Sequence, residues 1–294
     1  MTYKGSFVAI ITPFTKEGDI DEEALRNLVQ WHISNKTTGI VCAGTTGEGI
    51  NLSFKERLHV VKICLEESKK RILVIGGTTT ASTKDSVALT LEAKNLGMDA
   101  VLAIVPYYNR PTDEGCFFHF KEIAALGLDT IVYENPSRTG KSLSLDTFKA
   151  LESIPQIKAI KASVGTIESF KKLRSATTLP LLAGDDSIIL EAMSHGAYGA
   201  ITVVGNLIPR TISEMIYECL NGEIGAGLLT FQKIQTLIQT LSFETNPQMV
   251  KYGTYLLKKC QLIYRLPLIE PTKEHKQELE KALFELHLLQ KANF

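Results

Sequence analysis

The sequence is poor in the residues from which metal sites and disulfide frameworks are built. Its 294 residues include five cysteines and six histidines, and both kinds are scattered along the chain. An odd number of cysteines without a Cys-x-x-Cys pair is typical of reduced thiols in a cytosolic protein. The isolated histidines offer no ligand cluster for zinc or iron. We therefore expect no metal, no disulfide and a cytoplasmic location.

The sequence also lacks an excess of charge of one sign and any long hydrophobic run. It contains 32 Lys and Arg residues against 32 Asp and Glu residues, so its formal net charge is zero. The balanced charge therefore gives no reason to expect binding to nucleic acid or to a membrane surface. No apolar run is long enough to span a bilayer. Residues 7–11 form a short apolar run that continues into Thr12 and Pro13, which is typical of a first strand and not of a signal peptide.

Short apolar strands alternate with amphipathic helical segments through most of the chain. We place the strands at residues 7–12, 40–43, 72–76, 100–105, 130–133, 158–161, 181–183 and 200–203. Eight strand–helix units, with strands too apolar to face water on either side, predict an α/β fold that closes into a (β/α)8 TIM barrel. A doubly wound open sheet is the alternative, and the absence of a dinucleotide-binding fingerprint disfavours it.

The pattern changes after the eighth strand, because residues 210–294 show helical periodicity only. We therefore divide the chain into a catalytic barrel of residues 1–209 and a C-terminal helical extension of residues 210–294.

The stretch IKAIKASVG, residues 157–165, is a short buried strand that ends on Lys161. Burial of an ammonium group is costly unless the group is paired or neutral. The lysine is therefore either a partner in an ion pair or an amine with a depressed pKa, which Schiff-base chemistry with a ketone requires. The stretch alone leaves both interpretations open. In a parallel barrel, however, the active site lies at the carboxyl ends of the strands, where Lys161 stands.

Other predicted strand ends carry polar groups as well. The glycine loop of residues 44–49, GTTGEG, offers backbone N–H groups and hydroxyls to a carboxylate or phosphate, although a tight turn explains it equally well. Tyr107, Tyr108 and Tyr133 could form a proton relay or simply pack as amphipathic residues. Arg138 suits a substrate carboxylate or a surface ion pair. Asp186 fits the N-cap of the seventh helix better than a metal site.

Five strings in this order and spacing, GTTGEG, VPYYNRPTDEG, VYENPSRTG, IKAS and AGDD, resemble the pyruvate-dependent class I aldolase superfamily. Within it they resemble most closely the dihydrodipicolinate synthase family. The resemblance covers nearly the whole chain, from SFVAIITPF to about residue 266. The YYNRP and PSRTG strings are its most specific part. It implies a lyase that condenses pyruvate with aspartate semialdehyde, as a homotetramer built from dimers and without a cofactor.

The resemblance also implies roles for individual residues. Lys161 would form the Schiff base with pyruvate, and Tyr133 would act as the acid and base beside it. Thr45 would link Tyr133 to Tyr108 in a hydroxyl relay, with Tyr108 supplied by a second copy of the chain.

Four further residues would bind the substrates. The backbone of Thr46 would hold the pyruvate carboxylate, and Arg138 would bind the carboxylate of the semialdehyde. Gly184 and Ile201 would line the pocket with backbone carbonyls.

The chain departs from the family pattern at Glu134 and Asn135, where many members read Asn-Val, and at Ala162, where a glutamate is common. These departures leave three alternatives to the synthase: an N-acetylneuraminate lyase, a 2-keto-3-deoxy-gluconate aldolase, or a barrel that has lost catalysis. Positions linked to lysine feedback also differ, which implies weak or absent inhibition by lysine; they are Phe54, Arg57, Ala81 and Asp85.

Overall fold

Eight short strands pair in chain order and close into a parallel barrel, since the first strand also pairs with the last. The computed structural model describes residues 3–289. The strands are β1 (Gly5–Ala9), β2 (Gly39–Cys42), β3 (Leu73–Gly76), β4 (Ala100–Ile104), β5 (Asp129–Glu134), β6 (Ile157–Ala162), β7 (Leu181–Ala183) and β8 (Gly199–Thr202). The predicted (β/α)8 barrel is confirmed, and closure rules out the open sheet.

The α-helices follow the strands in the order α1 (Glu22–Ser34), α2 (Phe54–Ser68), α3 (Thr83–Asn95), α4 (Asp113–Ala124), α5 (Pro136–Thr139), α6 (Leu145–Leu151), α7 (Ile167–Ala176), α8 (Ile189–Ser194), α9 (Pro209–Leu220), α10 (Ile224–Thr240), α11 (Gln248–Leu256) and α12 (Lys273–Glu285). At the start of many of these helices, a side-chain oxygen of the N-cap residue accepts a hydrogen bond from a backbone N–H of the first turn. Ser53 and Glu56, for example, form a capping box at α2.

The first strand begins and ends earlier than the apolar pattern predicts. It covers Gly5–Ala9 instead of residues 7–12, although Ile10 and Ile11 are also fully buried. The backbone N–H of Ile11 donates to Asn206 Oδ1 at 3.1 Å and not to a neighbouring strand. Burial therefore continues beyond the end of the strand, and hydrophobicity alone does not locate that end.

The interior of the barrel is filled by alternate residues of the strands, because successive side chains of a strand point to opposite faces. Tyr133 on β5 and Lys161 on β6 lie directly opposite each other in the strand register. Ile201 on β8 and Leu182 on β7 belong to the same buried interior cluster. The register thus brings Tyr133 and Lys161 to one level near the carboxyl ends of the strands.

The C-terminal helices pack on one side of the barrel. Helix α9 contacts β1 and β8, and α10 contacts α8, α9 and α12. The division of the chain at residues 209 and 210 stays a prediction. Among residues 3–289, none of the helices combines the length and the apolar character that crossing a membrane requires.

Candidate active site

A cavity of about 650 Å³ opens at the carboxyl ends of the strands. Six of the residues predicted for the site line it: Thr45, Thr46, Tyr133, Arg138, Lys161 and Gly184. A second cavity of about the same volume lies between α1 and the segment around the end of α11, and none of the residues predicted for the site lines it. We take the first as the candidate active site, because polar groups from many strand ends converge on it.

Lys161 and Tyr133 form the base of this cavity. The Lys161 Nζ lies 4.2 Å from the centroid of the Tyr133 ring, and both side chains are buried. Within residues 3–289 Lys161 forms no salt bridge, so the ion-pair interpretation of the sequence is not supported. The amine is therefore positioned to meet a ligand in the cavity.

The environment of Tyr133 favours loss of its proton. Burial would by itself raise the pKa of the hydroxyl. The groups that outweigh burial and lower the pKa are, in order of effect, Lys161, Asn135, Ser163 and Arg138. The strongest direct contact is a hydrogen bond of 2.7 Å that Asn135 Nδ2 donates to the Tyr133 oxygen. Tyr133 is thus a buried phenol with a stabilised phenolate form, as proton transfer near neutral pH requires.

The glycine loop forms the wall of the cavity beside Lys161. Its turn is closed by a hydrogen bond of 2.9 Å from the Gly49 N–H to the Gly44 carbonyl. A Cβ atom on Gly49 would lie only 2.0 Å from the Ala43 carbonyl oxygen, so this close approach requires glycine. Glu48 forms a salt bridge with Lys251 of α11, and both side chains are fully buried. Lys251 of the C-terminal helix α11 therefore anchors the loop through this salt bridge.

Arg138 reaches the rim of the cavity from α5. Its Nη2 donates to the carbonyl of Asn246 at 3.3 Å, and Asn246 Nδ2 donates to Thr46 Oγ1 at 3.0 Å. A single residue outside the barrel strands thus connects the guanidinium to the glycine loop. The remaining donors of the Arg138 fork can bind a carboxylate in the cavity.

The two aspartates after β7 also line the cavity, but Asp186 does not act as predicted. Asp186 Oδ2 accepts hydrogen bonds from the backbone N–H groups of Val203 at 3.1 Å and Val204 at 2.6 Å. The predicted N-cap role is therefore wrong, because this carboxylate closes the turn after β8 instead. Burial raises its pKa to about 6.

Two residues implied by the resemblance lie outside the cavity of their own chain. The side chain of Tyr108 is 92% exposed, and Ile201 is fully buried in the barrel interior. Val203, two residues after Ile201, lines the cavity from the end of β8. Arg57 and Tyr107 line it as well, and weak inhibition by lysine stays a prediction.

The contact of Asn135 with Tyr133 is not among the interactions predicted from the sequence. A signal was available, since residues two apart on a strand point to the same face. Asn135 follows Tyr133 by two positions, and Ser163 follows Lys161 by two positions. Both side chains line the cavity next to the candidate catalytic pair.

Glu134 points away from the cavity and into the layer between strands and helices. Its Oε1 accepts hydrogen bonds from Ser142 Oγ at 3.0 Å and from the Leu143 N–H at 3.2 Å. Its buried Oε2 has no hydrogen-bond partner among residues 3–289. Burial raises the pKa of this carboxyl to about 7.

We expect Glu134→Gln to remove a pH dependence of stability. Because the pKa is raised from 4.5 to about 7 in the folded protein, the folded state binds the proton more tightly than the unfolded chain. The resulting stabilisation is complete below pH 4.5 and is lost as the pH rises through about 7. Glutamine mimics the protonated carboxyl and does not titrate. The free energy of unfolding of the variant, relative to that of the wild type, should therefore increase by roughly 1–3 kcal/mol as the pH rises from 5 to 8. Urea unfolding at the two pH values measures this gain, and an unchanged difference between the two proteins would contradict it.

Among the described residues, no group of three or more His, Cys, Asp or Glu side chains is arranged to hold a metal ion. The candidate site contains an amine, a phenol, hydroxyls, a guanidinium, carboxylates and backbone groups at the mouth of a parallel barrel. This arrangement is typical of TIM-barrel enzymes that act on small molecules.

Residues 2–286 match the family described as the dihydrodipicolinate synthetase family, and the chain belongs to this family. A 4-hydroxy-tetrahydrodipicolinate synthase of Aquifex aeolicus is 38% identical over 290 residues, which cover 97% of this chain and 98% of the relative. The crystal structure of a chloride-inhibited dihydrodipicolinate synthase from Acinetobacter baumannii, complexed with pyruvate, is 38% identical and superposes with a TM-score of 0.96. It covers 98% of this chain and 100% of its own.

Proposed function

We propose that the protein condenses pyruvate with L-aspartate 4-semialdehyde to 4-hydroxy-tetrahydrodipicolinate, a step of lysine and diaminopimelate biosynthesis. Its full-length similarity to synthases of that name supports the reaction. The structural observation that carries the proposal is the buried Lys161 amine over the Tyr133 ring, inside a cavity with Arg138 at its rim. The enzyme is a lyase that works through a Schiff base.

Lys161 begins the reaction by forming a covalent bond to pyruvate. Its Nζ attacks the ketone carbon, and loss of water from the carbinolamine leaves a protonated imine. Tyr133 supplies the proton that leaves with the hydroxyl group and takes up a proton in later steps. The imine acidifies the methyl group of pyruvate, and loss of a methyl proton yields an enamine.

The enamine carbon then attacks the aldehyde carbon of the second substrate and forms the new carbon–carbon bond. Arg138 binds the carboxylate of the semialdehyde, and the Thr46 backbone with the Gly184 carbonyl positions pyruvate. The amino group of the bound intermediate attacks the imine carbon, which closes the ring and releases Lys161. None of these steps needs a cofactor.

Thr45 and Tyr108 complete the proposed proton relay. Tyr108 is too exposed to serve the cavity of its own chain, so its role requires a second copy. We therefore propose a dimer that completes the relay and, as the family resemblance implies, a homotetramer built from two such dimers. A cytoplasmic location is proposed as well, since all five cysteines are free thiols, which is typical of a reducing compartment.

The test is turnover of the purified protein with pyruvate and aspartate semialdehyde, coupled to dihydrodipicolinate reductase and read as loss of NADPH. Cleavage of N-acetylneuraminate and of 2-keto-3-deoxy-gluconate runs in parallel. We expect activity in the coupled assay alone. Activity only in the cleavage assays would reassign the substrate while leaving the Schiff base in place, and trapping of an imine without any turnover would indicate a barrel that has lost catalysis.

A further inference from the structure

Asn135 joins the end of β5 to α5 and makes hydrogen bonds with both sides of its amide group. Its Nδ2 donates to the Tyr133 oxygen at 2.7 Å. Its Oδ1 accepts from Ser137 Oγ at 2.7 Å and from the Arg138 backbone N–H at 3.2 Å. The residue is buried, and its side chain forms the N-cap of α5. Asn135 thus contacts the candidate proton carrier and the helix that bears Arg138.

The orientation of this amide follows from its partners. The two ends of an asparagine amide are hard to distinguish by shape, and their assignment depends on the hydrogen bonds around them. The backbone N–H of Arg138 can only donate, so it must face the oxygen of Asn135. The NH2 group is thereby turned toward Tyr133, whose oxygen accepts the hydrogen bond.

We propose that Asn135 is a positioning residue for proton transfer: its amide N–H fixes the Tyr133 oxygen as a hydrogen-bond acceptor and favours the phenolate form. The inference rests on the function proposed above, in which Tyr133 exchanges protons with the bound substrate. A donor to an ionised oxygen forms a stronger hydrogen bond than a donor to a neutral one, so the contact favours the charged state. It also occupies one lone pair and leaves the phenolic hydrogen free to point into the cavity.

The donor comes from within the chain, which distinguishes it from Tyr108. The hydrogen bond from Asn135 gives Tyr133 a contact that does not depend on a second copy. The charged groups that share the cavity with Tyr133 are Lys161 of β6, Arg138 of α5, Asp185 and Asp186 after β7, Arg57 of α2, and Glu244 between α10 and α11.

The decisive variant is Asn135→Asp, because it separates the two roles of the side chain. Aspartate keeps the oxygen that caps α5 and is an equally good N-cap. It replaces the donor to Tyr133 with an acceptor. We expect the pKa of Tyr133 to rise by roughly one pH unit or more and kcat to fall by roughly tenfold or more. The limb of the pH–kcat profile that Tyr133 controls should move to higher pH, while KM for pyruvate changes less than kcat.

The pKa is read directly by NMR of protein labelled with [ζ-¹³C]tyrosine. The chain has nine tyrosines, and Tyr133→Phe identifies the signal in question. Ser137→Ala is the matched control, since it removes a hydrogen bond from the oxygen side of the same amide. This variant should leave Tyr133 titrating at the wild-type pH. Asn135→Ser retains an N-cap without the reach to Tyr133 and adds no charge, so it should also raise the pKa of Tyr133. It thereby separates loss of the donor from repulsion by the aspartate charge, and it replaces the aspartate variant if that one does not fold.

Two outcomes separate this inference from the proposed function. If Tyr133 in the Asn135→Asp variant titrates at the wild-type pH and the variant keeps the wild-type kcat, Asn135 is only a helix cap and the proposal is overturned. If borohydride traps no imine between wild-type protein and pyruvate, the proposed function fails instead. The NMR titration still decides the role of Asn135 in that case, because it needs no substrate.

Discussion

Lys161→Ala is expected to abolish covalent trapping of pyruvate by borohydride and to lower turnover by roughly four or more orders of magnitude. Alanine removes the amine that forms the imine, and no neighbouring group can replace a nucleophile at the same place. The Lys161 Nζ faces the cavity directly over the Tyr133 ring. Mass spectrometry of the borohydride-treated protein detects the adduct, and the coupled assay measures turnover.

Lys158→Ala is the matched control on the same strand. Lys158 precedes Lys161 by three positions on β6, is only half-buried and does not line the candidate active site. Its replacement should leave trapping and turnover close to those of the wild type. Undiminished trapping in the Lys161 variant would move the nucleophile to another lysine and would refute the site described here.

The barrel could be predicted from the sequence because its strands are distinctive at the local level. Strands of a closed parallel sheet are covered on both sides and appear as short apolar runs between helices. The run that ends on Lys161 is one of them, and β6 covers Ile157–Ala162. Strand ends are less predictable, since Ile10 and Ile11 are buried without belonging to β1.

The details of the site depend on pairings that no local pattern contains. Tyr133 and Lys161 are adjacent because β5 and β6 align in a particular register. The predicted N-cap role of Asp186 is wrong because the partners of this carboxylate belong to the turn after β8, and they become its neighbours only when the barrel closes. Tyr108 illustrates a further limit, since its proposed role depends on a second copy of the chain.

The salt bridge between Glu48 and Lys251 is the feature that sequence patterns predict least. The two residues lie 203 positions apart, and both side chains are fully buried. The Lys251 ammonium also lies 4.1 Å from the centroid of the Phe14 ring. Glu48 follows Thr46 by two positions in the glycine loop, so the salt bridge connects α11 to the wall of the candidate active site.

We expect Lys251→Met to lower the free energy of unfolding by about 3–5 kcal/mol, because it leaves the Glu48 carboxylate buried without its partner. Combining it with Glu48→Gln removes that charge, and the double variant should regain at least about 1 kcal/mol. Urea unfolding of the wild type, both single variants and the double variant gives the coupling energy. Arg210→Met is the control, since the Arg210–Glu214 pair is about half exposed, and its loss should cost less than about 1 kcal/mol.

The same variants show whether this salt bridge stabilises the fold alone or also positions the glycine loop. If Glu48 holds the loop in place, the folded double variant should trap pyruvate more slowly than the wild type, because Thr46 loses its fixed position. The Arg210 variant should trap pyruvate at the wild-type rate. A coupling energy of zero would mean that the two buried charges do not stabilise each other. In that case, the hydrogen bonds from Asn246 to Thr46 and from the Arg265 N–H to Glu48 would still join the C-terminal segment to the loop.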